Sequence, residues 1–308
     1  MSKQKPKKQH IVPITYLKQF HVGDNKSIYC IDFEDPYRQF VQKIGFNDRR
    51  IKIKNFYTDN RLTNPFAIEE YFGKEVEPLY PKIMDVINQE EQLSDDLRGA
   101  IILWIYICDL RKPSKRNNYE DILRWSAEII AKYNKETIDE SELKNYAKKF
   151  AKEVQLNPFS DHTQGKSLFD LFVKTLANKQ WKILKSTFDN PFFTNDSPVF
   201  SPNLHPMFRK TIPYHAGAEL NLQSCVYFIL SPSYCLEISP FRQGTSLETN
   251  IFNMKIPYLN ATHQGIDFIN QGVYYTRHNL VISNSKEALE ARIKFREPKK
   301  ATKNMKDV

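Results

Sequence analysis

The chain has 308 residues, 41% of them hydrophobic and 13% aromatic, and 45 Lys and Arg against 36 Asp and Glu give a formal net charge of +9. Such a composition fills a substantial core, which excludes a disordered chain, and its positive excess points to anionic partners, nucleic acid first. The longest apolar run, Ala100 to Cys108, falls short of the roughly 20 residues that span a bilayer, so no membrane partner is expected.

The Lys-rich start, Lys3, Lys5, Lys7 and Lys8, leads into no apolar stretch of the kind that directs secretion. Cys30, Cys108, Cys225 and Cys235 are dispersed without metal-ligand spacing and read as reduced core residues. A cytoplasmic protein is expected. The ends are taken as charged tails, 1–8 and 286–308, around one domain at 9–285.

Pro13 opens a short helix to Phe20, and two strand-like runs, Ser27 to Phe33 and Gln39 to Phe46, flank the turn residues Glu34, Asp35 and Pro36 as a hairpin. Arg49, Arg50, Lys52 and Lys54 alternate with Ile51 and Ile53, the pattern of a solvated edge strand or a phosphate-binding strip. From Pro65 the apolar spacing becomes helical through Ile87. Ser94 caps a helix that is apolar nearly all round and stops near Lys112 and Pro113, the mark of a buried helix. Two charged surface helices, Tyr119 to Asn134 and Glu140 to Glu153, and an apolar one after Asp161 follow.

Beyond Lys179 the texture turns to short strands: Trp181 to Ser186, Phe192 to Phe200, Cys225 to Leu230 and Tyr234 to Ile238. A mixed stretch, helical near Phe268, precedes a last strand, Tyr274 to Ser283. Strands and helices are segregated rather than alternating, so the fold class is α+β: an N-terminal β-hairpin, a central helical block, and a C-terminal β-rich part that shares one mixed or antiparallel sheet with the hairpin.

The common phosphate-loop, dinucleotide, zinc-protease and nucleophile-elbow motifs are missing. What stands out is Gln9-His10-Ile11-Val12-Pro13, followed by Tyr16, Leu17 and Phe20. This segment resembles the N-terminal signature of a chiefly bacterial family catalogued as domain of unknown function 4238. Asn55-Phe56-Tyr57, Ile68-Glu69 with Glu77, Leu110-Arg111 with Pro113, Trp181 and Thr194-Asn195-Asp196-Ser197-Pro198-Val199 are similar to its later landmarks, in the same order. The resemblance runs from Gln9 to Ser283 and implies a shared fold and a shared site, but no reaction.

Four residues are candidates for chemistry. His10 is either an acid or base beside a helix start or an anchor for the N-terminus. Arg111 either closes its helix or holds an anion. Asp196 either projects into a cleft or closes a turn on its own backbone. His162, next to the N-cap Asp161, completes the set if the fold gathers it. Gln9, Tyr16, Asn195 and Asn270 are candidate lining. The acidic run Glu69, Glu70, Glu75 and Glu77 reads as a solvated helix face. The expected function is a nucleic-acid-acting hydrolase, a phosphodiesterase or nuclease using this His/Arg/Asp set with a divalent metal ion as its cofactor. The alternative is a non-catalytic module, defence-associated, that binds nucleic acid or protein; an enzyme for a small anionic substrate is the third reading.

Overall fold

The computed structural model describes residues 8–23, 26–34, 37, 39–134, 137, 139–187, 189–203, 213–241 and 251–293. It is α+β. In chain order come β1 (Lys8–His10), α1 (Ile14–Leu17), β2 (Ser27–Asp32), β3 (Gln42–Gly45), β4 (Lys52–Lys54), α2 (Ala67–Tyr71) and α3 (Leu79–Asn88). The helical block continues with α4 (Asp95–Arg111), α5 (Pro113–Asn134), α6 (Glu140–Ser160) and α7 (His162–Ala177). Then follow β5 (Gln180–Lys185), β6 (Thr194–Asn195), β7 (Val199–Pro202), β8 (Tyr214–Ala216), β9 (Val226–Ile229), β10 (Tyr234–Ser239), β11 (Tyr258–Asn260), α8 (His263–Thr276), β12 (Leu280–Ser283) and α9 (Lys286–Ile293).

The hairpin does pair with the C-terminal part, in a four-stranded sheet of order β3-β2-β12-β6, while the remaining late strands form a separate six-stranded sheet of order β11-β5-β10-β9-β7-β8. The division arises at the run expected as one strand from Phe192 to Phe200. Pro198 has no N–H to give a ladder, and the Ser197 amide turns onto the Asn195 side chain at 2.6 Å. The chain leaves one sheet at Asn195 and enters the other at Val199, so Asp196 lies on the crossover.

α4 is the hub. Its N-cap Ser94 accepts the Leu97 amide, and 12 of its 17 residues are buried, Trp104 and Ile105 completely. Lys112 is extended and Pro113 at once begins α5, six residues before the expected start, because proline's fixed φ suits the first position of a helix. Likewise α6 continues to Ser160 with Pro158 in its last turns. Three other expectations are corrected. Arg49–Ile51 is a 3-10 turn and only Lys52–Lys54 extends; Tyr274 belongs to α8; and α9, in the expected tail, packs Leu289 fully inside against β2 and β12. Asp35 and Pro36 of the hairpin turn lie outside the described residues.

Candidate functional site

β1 and β4 form a two-stranded antiparallel ribbon with Lys8 opposite Lys54, Gln9 opposite Ile53 and His10 opposite Lys52. Side chains alternate along a strand and opposite residues share a face, so Lys8, His10, Lys52 and Lys54 project together while Gln9 and Ile53 face inward. Gln9 is buried: its Oε1 accepts the Tyr57 amide at 2.6 Å and its Nε2 reaches Thr58 Oγ1 at 3.5 Å. His10 is half-buried, with Nε2 3.1 Å from the Phe46 carbonyl. Burial holds its imidazole below the usual histidine range, aided by Lys52 and Arg111 and opposed by the Phe46 carbonyl. Lys52 Nζ rests on the neutral Asn47 amide at 3.0 Å rather than on an acid.

Behind the ribbon lies Arg111, the last residue of α4. Its guanidinium neither closes the helix nor opens to a cleft. Nε donates to Tyr57 Oη at 2.9 Å and one terminal nitrogen to the His10 carbonyl at 2.8 Å, while the plane sits 4.5 Å from the Phe72 ring centre and 4.8 Å from that of Tyr57. The other terminal nitrogen is buried without a hydrogen-bond partner, 3.9 Å from Glu77 Oε1. Glu69 and Glu77 therefore face this cation rather than solvent. They are eight residues apart, and a π turn at Phe72–Val76, closed by the Glu77 amide on the Phe72 carbonyl at 2.8 Å, rotates the second toward the side of the first. Burial raises both carboxyls above their usual range despite Arg111, and one Glu69 oxygen has no partner.

Asp196 is also interior. Its carboxylate accepts the backbone amides of His278 and Asn279 at 2.6 Å and of Leu280 at 3.0 Å, so it fastens the sheet crossover to the start of β12 instead of closing a turn on itself. Asn195 donates to the Val273 carbonyl at 2.6 Å, and Asn270 accepts the Phe193 amide at 2.8 Å while donating to the Pro191 carbonyl at 2.9 Å; both tie the same segment to α8. Tyr16 Oη lies 2.6 Å from Thr194 Oγ1 and donates to the Ile229 carbonyl at 2.8 Å, joining α1 to both large sheets.

Arg111 and Asp196 line one small void with Ile11, Val12, Pro13, Cys108 and Pro198, of about 10 Å³, room for a single water. The His10 carbonyl is bonded to Arg111, but the ring points elsewhere, to Phe46. His162 is the first residue of α7, following Asp161, whose side chain accepts the Thr163 amide at 3.0 Å; the His162 side chain lies outside the described residues. Among the described residues no three His, Cys, Asp or Glu side chains gather as metal ligands.

Sequence reading missed Gln155, which is buried on α6 and does what was offered for Arg111. Its Nε2 donates to the carbonyls of Leu110 at 2.8 Å and Lys112 at 3.0 Å, closing α4, and its Oε1 accepts from Arg116 at 2.7 Å. The signal was available: Gln155 continues the small-residue series Ala147, Ala151 at helical spacing. Arg116 and Lys152 then extend the ribbon's charge. Arg116 lies 4.0 Å over the Phe56 ring and donates to the Phe56 carbonyl at 2.9 Å, and Lys152 donates to the Asn55 carbonyl at 3.0 Å, both immediately past β4. Burial lowers Arg116 to about 10 and lowers Lys152 as well.

A cavity of about 910 Å³ opens among α2, α4, α6 and α7; Ile68, Leu103, Tyr106, Phe159 and Phe169 are among its lining, and Tyr71, Asp96 and Lys166 lie at exposed positions on it. No helix among the described residues is long and apolar enough to cross a membrane. A family model described as a protein of unknown function, DUF4238, matches residues 8–287. No curated protein and no solved structure matches the chain.

Proposed function

The chain belongs to the DUF4238 family, whose description carries no activity, and from the site itself we propose that it binds nucleic acid through the phosphate backbone without turning it over. The observation that carries this reading is the register of the N-terminal ribbon. It sets Lys8, His10, Lys52 and Lys54 on one face, with side chains two apart spaced by roughly 7 Å along each strand. Arg116 and Lys152 carry the positive surface past Asn55. Phosphates release condensed counterions onto such a surface, so affinity is large at low salt and falls as salt rises.

The hydrolase reading has weaker support. Asp196 spends both carboxylate oxygens on backbone amides, Arg111 is interior, and the void between them is smaller than any phosphodiester. The large apolar cavity favours a second reading, an apolar small-molecule site, which displacement of an environment-sensitive fluorescent fatty acid by other apolar compounds tests directly.

The test of the main reading is fluorescence anisotropy of labelled single-stranded RNA, single-stranded DNA and duplex DNA across a salt series. Binding is expected to weaken with a steep log–log salt slope, and Lys52→Glu with Lys54→Glu is expected to reduce that slope by about two. Binding of the double variant at unchanged strength and slope sinks the assignment. Backbone cleavage that disappears in His10→Ala restores the hydrolase. Because a bound phosphate draws a proton onto His10, affinity is also expected to increase as pH falls toward the lowered pKa of the free imidazole, and His10→Gln to abolish that increase.

A further inference from the structure

α5 is 22 residues long, yet only Pro113 and Ala131 of it are buried. It packs antiparallel on α6, whose Ala147 and Ala151 are fully buried, and helical phase puts Ala127 and Ala131 on that inner side. The opposite side should be polar in a surface helix. Instead it carries Ile122, Trp125, Ile129 and Tyr133, spaced three, four and four apart, with Ile130 on the flank; Trp125 is 65% exposed and Tyr133 88%. In an antiparallel pair of right-handed helices, the flank of α6 that continues this face is the one bearing Tyr146 and Phe150, and both are exposed, stacked at 6.0 Å.

We propose that the α5–α6 hairpin is a homodimer interface, in which two copies of this chain pack together through this apolar surface. The seven residues expose roughly 900 Å² per copy, more than the few hundred Å² of an ordinary monomer's largest apolar patch and close to the about 800 Å² per partner of a stable complex. The charges at the edges choose a second copy. From Asp121 to Ile130 the exposed charges of α5 are the acids Asp121 and Glu128, whereas from Leu143 to Phe150 those of α6 are Lys144, Lys148 and Lys149. A twofold axis that lays α5 of one copy over α6 of the other brings unlike rims together twice, as an isologous contact requires.

Trp104 and Trp181 are buried, so Trp125 is the one solvent-facing tryptophan of the three in the chain and reports on the contact. Analytical ultracentrifugation of the full chain, from sub-micromolar to high-micromolar concentration, is expected to give a monomer–dimer equilibrium, with tryptophan emission moving to the red and becoming more quenchable on dilution. Trp125→Glu with Ile129→Glu is expected to leave a monomer at every concentration with unchanged helical circular dichroism. Both side chains are exposed, so folding should be spared; the milder Ile122→Ser with Tyr133→Ser repeats the test if it is not. A wild-type chain that stays monomeric throughout overturns the proposal, whatever else the face then binds, as does a dimer that survives in a folded variant.

Discussion

Arg111 shows how a residue can be singled out correctly as unusual and still be misassigned from sequence. A cation at the end of an apolar helix reads as a cap, because the carbonyls it would cap are neighbours in the chain. Those carbonyls are instead taken by Gln155, 45 residues from Leu110, while Arg111 turns back to the His10 carbonyl, 101 residues away. The acidic run misled for a related reason. At α-helical spacing Glu69 and Glu77 lie about 80° apart on one side of a helix, which reads as a solvated face, and the π turn between them narrows that spread on the side that meets Arg111. Burial raises the Glu69 carboxyl, so the folded protein holds that proton more tightly than the unfolded chain. Its favourable contribution is full below the unfolded value of about 4.5 and is lost as pH rises through the folded value. Glu69→Gln should therefore match the wild type in urea denaturation at pH 4 and exceed it at pH 7. Equal stability at both values would mean that the carboxylate is as well solvated as in the unfolded chain.

At the level of elements, the helical block was legible because its signals are local: the Ser94 cap, the all-round apolar surface of α4, the charged faces of α5 and α6. Strand partners were not, because sequence gives the period of a strand but not its neighbour. The run from Phe192 to Phe200 has uniform apolar character, and what divides it between two sheets is the Asn195 turn, Pro198 and the Asp196 carboxylate accepting amides 82 to 84 residues on. The same anchor distinguishes a structural role from a catalytic one. Asp196→Asn keeps the shape and one acceptor oxygen, but its NH2 takes the place of the other oxygen, faces the amide or amides that oxygen accepted and leaves them unpaired in the interior, which costs about 3 kcal/mol by the usual penalty for such losses. A fall of that size in urea-unfolding free energy is expected, with nucleic-acid binding intact at temperatures where the variant is folded. A loss below about 1 kcal/mol, together with a loss of turnover on RNA or DNA, would return Asp196 to the candidate catalytic set.

For the molecule as a whole, much of the +9 charge belongs to the ends of the sequence, Lys3, Lys5 and Lys7 at one and Lys299, Lys300, Lys303 and Lys306 at the other. Within the fold, a local group of cations forms where two segments distant in sequence, Lys8–His10 and Lys52–Lys54, meet edge to edge, and where the base of the α5–α6 hairpin contributes Arg116 and Lys152. The far part of that hairpin bears the apolar face. A dimer through it would carry two phosphate-binding ribbons in one assembly, and a strand long enough to touch both would bind the second at the effective concentration set by the first. Affinity for a long single strand should then exceed that for a short one by at least about tenfold, and the monomeric Trp125→Glu, Ile129→Glu variant should lose that advantage while keeping the short-strand affinity of the wild type. The comparison separates the two proposals. Loss of binding to both lengths in Lys52→Glu, Lys54→Glu with the dimer retained locates the phosphate site on the ribbon. A long-strand advantage unchanged in the monomeric variant would mean that length acts through statistical multiplicity on one ribbon, and that the hairpin face serves something other than bringing two sites together.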